Sequence, residues 1–296
     1  MSPGATKRFA LLGALYLSQG LPYGFFTQAL PALMRQQGIS LKAIGFASLL
    51  VIPWALKFLW APLVDGLRQG PLGPRRSWII PLQIGSVAML GALSFLQPES
   101  HLRWILAGVL VINFLAATQD IATDALAIDL LAPDERGLGN SLQVGGYRVG
   151  MIVGGGLILM LLDQLGWQRA FWLMAGLLGL ATIPILLHRE AVESRSEGAS
   201  LSFVGLLEYL RQPGVWPWIG ALILYKSFDA LAGPMVKPMM IDQGYTLTDI
   251  GAIVGTAGSV AGLLGAVAGG LGVIYLGRRS ALIAFGLLQV VAVAAY

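Results

Sequence analysis

The chain has 296 residues, of which 56% are hydrophobic and 11% charged, with a mean hydropathy of +0.74 and a formal net charge of +4. Soluble domains carry about 25% charged residues, so this composition excludes an ordinary soluble fold and points to lipid as the solvent. Cysteine is absent, which excludes a disulfide scaffold and a Cys-ligated metal centre.

Apolar runs predict nine helices long enough to cross a hydrocarbon core of about 30 Å. The first, Phe9 to Met34, follows Lys7 and Arg8 as the core of a signal peptide would, but it is too long and lacks a small-x-small cleavage site. Its Gly13, Gly20, Pro22, Gly24 and Pro31 suit a kinked membrane helix whose freed backbone groups are satisfied by neighbours. Ala43 to Val64, Trp78 to Leu96, Trp104 to Leu131, Leu138 to Leu162 and Trp167 to Leu187 complete a first group. A polar stretch, His188 to Gln212, contains the weakly amphipathic Ser202 to Leu210 and precedes Val215 to Val236, Ile250 to Tyr275 and Ala281 to Tyr296. The predicted domains are a six-helix bundle over 1–190, a cytoplasmic linker with an interfacial helix over 191–214, and a partial bundle over 215–296.

Lysine and arginine orient the chain. A cytoplasmic N-terminus places Lys7, Arg8, Arg68, Arg75, Arg76, Arg136, Arg189, Arg195, Arg211, Arg278 and Arg279 inside. Arg35, Lys42, Arg103, Arg169 and Lys237 then lie outside, a bias that favours this orientation.

The remaining cations, Lys57, Arg148 and Lys226, fall within predicted spans. So do Asp120 and Asp124, one helical turn apart and therefore on one face of a run in which Asp129 is the only other charge. A charge in hydrocarbon costs at least about 2.5–3.5 kcal/mol, so such groups normally face a cavity or each other. A rise of about 1.5 Å per residue puts Lys57 roughly 10 Å, Asp124 12 Å, Arg148 15 Å, and Asp120 and Lys226 18 Å from the cytoplasmic ends. Lys57, Gln119, Asp120, Asp124, Arg148, Lys226 and Asp229 are accordingly the predicted substrate and proton pathway. Other readings stand beside it. Lys57 could snorkel to the headgroups, Arg148 could be a structural partner of Asp124, Lys226 and Asp229 could neutralise one another at i,i+3, and Gln119 and Asn113 could join helices instead of meeting sugar hydroxyls.

Asp129 points away from Asp120 and belongs with the cytoplasmic loops. Asp65, Arg75, Arg76, Glu135 and Arg136 form the expected gating network there, although ordinary interfacial solvation would account for the same residues. Glycines at three- or four-residue spacing, Gly145 to Gly156 and Gly251 to Gly265, predict close helix packing. Enzyme and metal chemistry find no support: there is no His-Glu-x-x-His, and His101 and His188 lie in loops on opposite sides. Basic residues flank the spans and form no patch of the kind that binds nucleic acid.

Six spans, a loop and further spans follow the half-and-half plan of the major facilitator superfamily. PLVDGLRQGPLGPRR (Pro62 to Arg76) resembles its loop signature, with Asp65 in the acidic position and Gly66 where an Arg is usual. GGLGVIYLGRR (Gly269 to Arg279) is a second copy without the acidic residue. LKAIGFASLLVIPWALKFLWAPLVD (Leu41 to Asp65), QDIATDALAIDLLAPDERGLGNSLQVGGYRVGM (Gln119 to Met151) and LYKSFDA (Leu224 to Ala230) resemble AmpG-type muropeptide permeases, relatives of the acetyl-coenzyme A transporters.

That resemblance implies an all-α, facilitator-type helical bundle in the bacterial inner membrane. It implies import of anhydro-muropeptides in peptidoglycan recycling by proton symport, with no cofactor beyond the proton as coupling ion, and no enzyme activity. The implied partners are the lipid bilayer and a small anionic, glycopeptide-like substrate, with the protein a monomer. Family members have about twelve or more spans, so a chain stopping inside an apolar run at Tyr296 reads as C-terminally truncated. Two alternatives remain: a permease for another anionic conjugate, such as a coenzyme A thioester, and a non-transporting membrane fragment or scaffold.

Overall fold

The computed structural model describes residues 3–66, 72–132, 135–190 and 210–294, and every element among them is helical. α1 (Pro3–Gly24) continues through a π-helical turn, Phe25–Ala29, into α2 (Leu30–Gln36). Pro22 and Pro31 bracket that turn. Neither has an N–H to donate, so the ordinary ladder fails on both sides and the wider turn takes its place.

The second segment is not the single helix expected from Ala43 to Val64. It comprises α3 (Leu41–Ala47), capped by the Ser40 side chain, then α4 (Ile52–Leu56) and α5 (Ala61–Gly66), separated by 3-10 turns at Ser48–Val51 and Lys57–Leu59. Tightening of the helix brings three side chains onto the fourth segment. Trp54 Nε1 donates to Asn113 Oδ1 at 3.2 Å, Lys57 meets Asp120, and Trp60 Nε1 donates to Thr118 Oγ1 at 3.1 Å.

α6 (Arg76–Leu93) and α7 (Pro98–Leu130) follow, then α8 (Arg136–Met151), a π turn at Ile152–Leu157, and α9 (Ile158–Leu187). Gly166 interrupts α9 with φ of 72°, a left-handed conformation that costs glycine little. α10 (Val215–Asp242) is followed by α11 (Leu247–Ile250), a third π turn at Gly251–Ala257, and α12 (Gly258–Ala294), which Gly277 breaks at φ 75°. Both breaks fall where the sequence separates adjacent spans.

Among the described residues, five stretches are long and apolar enough to cross a membrane: Leu41–Leu59, Arg76–Leu93, Ser100–Leu130, Leu138–Leu187 and Leu247–Gly265. The fourth has 50 residues. At about 75 Å if straight, it would exceed one crossing by more than twofold, and Gly166 is where it turns back. The nine crossings expected from sequence go beyond these five. α1 is not among them, since glycine, proline and polar side chains dilute it, and α10 includes residues outside those searched. The linker helix expected at Ser202 to Leu210 lies, except for Leu210, outside the described residues.

The largest core cluster packs Phe25 and Leu30 against Leu90, Ile105 and Phe171, with the Phe25 and Phe171 rings edge-on at 5.0 Å. Glycine sets the α1–α8 distance. A methyl group at Gly24 would lie 2.6 Å from the Met151 carbonyl oxygen, and one at Gly154 would sit on that of Leu21. The same stripe carries the contact to the second half: a methyl at Gly156 would lie 2.7 Å from Thr256 Oγ1 and 2.9 Å from the Gly255 carbonyl carbon. Thus the three π turns converge, with Gln28 beside Gly155 and Gly255. π turns are rare and concentrate at functional sites.

Candidate functional site: two cavities joined at Arg148

Lys57 and Asp120 form an ion pair between the second 3-10 turn and α7, with side chains 32% and 9% exposed. Depth from helical rise, roughly 10 and 18 Å, does not by itself pair them. The Lys57 ammonium also lies 5.8 Å from the Trp54 ring centre. Snorkelling is not the arrangement seen.

Asp124 does not face Arg148. Its Oδ1 instead accepts from Tyr16 Oη and Gln143 Nε2, both at 3.0 Å. α-Helical geometry explains this: Asp124 is one turn nearer the chain's N-terminal face than Asp120, level with Tyr16 on α1 and the first half of α8. Arg148 lies further along α8, where its guanidinium packs against α12, 3.3 Å from where a Gly262 methyl would stand. Gln119 is buried between helices. Its amide donates to Ser18 Oγ at 3.2 Å, as Gln83 does at 2.8 Å, so it joins α1, α6 and α7 and lines neither cavity described below. Lys226 and Asp229 are carried on α10, but their side chains lie outside the described residues.

Two cavities flank Arg148. One, of about 550 Å³, is lined by Tyr16, Gln19, Asp120, Gln143, Tyr147 and Arg148, with Tyr23 and Met151 at its edge. The second, of about 770 Å³, shares Tyr23, Met151 and Arg148 and extends to Gln28, Lys237 and Ser259. Tyr23, Trp54 and Tyr147 form an aromatic cluster, with Tyr23 to Trp54 at 5.6 Å and Tyr23 to Tyr147 at 5.4 Å between ring centres. Sequence reasoning missed these rings, as it missed Tyr16 and Gln143. Three aromatics on three separate helices have no shared periodicity to betray them.

The charged network at the N-terminal face lies within the first half of the chain. Arg75 bonds Asp65 at 2.9 Å and Asp129 at 3.4 Å, and its backbone N–H, with that of Arg76, donates to the Glu190 carboxylate. The Arg76 guanidinium donates to the Ile185 and Leu186 carbonyls. Glu135 pairs with Arg8 at 2.7 Å rather than with Arg75, and the Arg136 side chain lies outside the described residues. His188, beside Arg76, is pushed below the ordinary histidine value by burial and then by that guanidinium. Glu190, absent from the expected network, holds the loop before α6 against the end of α9. An ion pair that does join the halves stands at the opposite face: Arg35 on α2 grips Asp242 on α10 through two bonds of 2.6 and 2.9 Å.

Comparison with known proteins accords with this architecture. The family model described as "Major Facilitator Superfamily" matches residues 12–296. The anhydromuropeptide permease of Escherichia coli K12 is 37% identical over 287 residues, covering 95% of this chain and 58% of that protein. An uncharacterized protein of Haemophilus influenzae is 30% identical over 299 residues, covering 98% of this chain and 70% of that one. A crystal structure of the POT family transporter PepTSo is 15% identical with a TM-score of 0.49, covering 88% of this chain and 55% of that one. The chain thus spans little more than half the length of the E. coli relative. Its family relationship, rather than any missing catalytic motif, sets it apart from enzymes. On the breadth of the family match, the chain belongs to the Major Facilitator Superfamily.

Proposed function

We propose that the chain acts as a proton-coupled secondary transporter importing anhydro-muropeptides across the bacterial cytoplasmic membrane, as a monomer with its N-terminus inside. The observation that carries this reading is the 37% identity, over 95% of the chain, to a protein named anhydromuropeptide permease. The cavities support it chemically. Aromatic faces at Tyr23 and Tyr147 suit the apolar faces of sugar rings. Arg148, lining both cavities, suits a carboxylate.

Asp124 is the proton carrier in this scheme. Asp120 is committed to Lys57, whereas Asp124 is held by two neutral donors on one oxygen, so either protonation state retains both bonds. In proteoliposomes with an imposed pH gradient, the chain should accumulate labelled anhydro-muropeptide. Asp124→Asn should abolish gradient-driven accumulation and keep cargo exchange. Accumulation by the mutant equal to the parent's would overturn the assignment, and exchange of neither cargo nor label by the parent would overturn transport.

Orientation has its own check. In a chain without native cysteine, a Cys placed at Glu99 should react with an impermeant maleimide from outside intact cells, and one at Glu193 only after permeabilisation. The reverse pattern would invert the topology.

A further inference from the structure

Lys237 carries a second cation into the larger cavity, a role its sequence position conceals. Counted from sequence among the loop cations of the outer face, it lies instead on α10 facing α1, α3 and the third π turn, in the same cavity as Arg148. Its ammonium makes one described polar contact, a long 3.4 Å bond to the Gly233 carbonyl of its own helix. Among the described residues lining this cavity there is no carboxylate. Arg148 likewise has no carboxylate partner among them, and its guanidinium is fitted against the bare Gly262. Two cations sharing a low-dielectric space are costly unless an anion joins them.

Gln28 also borders the cavity, but its side chain is turned into the helix contact: its amide donates weakly to Ser259 Oγ at 3.4 Å and its Oε1 is buried beside Gly155 and Gly255. Much of the wall is aliphatic or aromatic, with Phe26, Leu30, Met34, Ile44 and Val254, and Thr27, Ser48 and Ser259 add hydroxyls. A free inorganic anion would waste such a wall. A carboxylate at the end of a short aliphatic arm matches both the paired cations and this wall.

We propose that Lys237 and Arg148 together form an anion subsite that holds such a carboxylate, while the Tyr23–Tyr147 cavity takes the rest of the cargo. The subsite deepens the transport reading and rests on it for the identity of the cargo, but its chemistry is testable without transport. The probes are N-acetyl-alanyl-alanine and its C-terminal amide, titrated into the purified chain by calorimetry. The parent should bind the carboxylate at least ten times more tightly than the amide. Lys237→Met should lose that discrimination and Lys237→Arg should keep most of it. Because the comparison of acid with amide is made on the unmutated chain, it stands even if Lys237→Met fails to fold. Equal binding of the two probes, binding of neither, or full discrimination in folded Lys237→Met would overturn the subsite. Discrimination without any uptake of anhydro-muropeptide would uphold the subsite and strike the transport reading instead.

Discussion

Gly154→Ala should destabilise the folded chain by about 1–3 kcal/mol or more, although alanine is the better helix former. The added methyl would occupy the position of the Leu21 carbonyl oxygen, and no flexible side chain stands between them to give way. Relief requires α1 to move from α8, which would also pull apart the π turns where Gly156 meets Gly255 and Thr256. Gly176→Ala supplies the opposite sign. Nothing lies within 4 Å of its added methyl, so only the helix propensity gain of about 0.5–1 kcal/mol remains. Thermal unfolding of both variants in one detergent tests the pair. A lower Tm for Gly154→Ala alone is expected, and equal Tm values would show that the glycine stripe does not set the helix spacing.

Asp120→Asn should be at least as damaging, costing about 3–5 kcal/mol, because it leaves the Lys57 ammonium in a partly buried site without its counter-charge. Lys57 is 32% exposed, which lets water soften the loss toward the lower figure. Asp124→Asn should cost only about 1 kcal/mol, since an asparagine Oδ1 can still accept from Tyr16 and Gln143. The alternative in which Arg148 is a structural partner of Asp124 would instead have that change strand a buried cation. The double change Lys57→Met with Asp120→Asn should restore much of the stability, giving a strongly non-additive cycle. Additive losses, or a larger loss at Asp124 than at Asp120, would remove the pairing from the account.

Much of the charged layer was legible before any coordinates. Helical rise converts residue number into depth and gathers Lys57, Asp120, Asp124 and Arg148 into one layer, but it does not pair Lys57 with Asp120: at roughly 10 Å, Lys57 is nearer in depth to Asp124 at 12 Å than to Asp120 at 18 Å. Depth gives no azimuth, and for that reason the same reasoning left a pairing of Asp124 with Arg148 open. Which face each helix presents depends on irregular turns that sequence periodicity does not register. The 3-10 turn at Lys57–Leu59 rotates Lys57 toward α7. The π turn beyond Pro22 changes the phase of α2, and with it the direction of Arg35 toward Asp242.

Sequence by itself determined the membrane character, the family and the separation of adjacent spans between Leu162 and Trp167 and between Tyr275 and Ala281, because these follow from composition, from motif order and from breaks in the apolar runs. Only the tertiary structure decided that Glu135 pairs with Arg8, that Gln119 serves the polar core with Ser18, and that Lys237 shares a cavity with Arg148. Each of these depends on which helix lies next to which and on how far each is rotated. Packing of glycine stripes and broken turns fixes those quantities, and they leave no periodic trace along the chain.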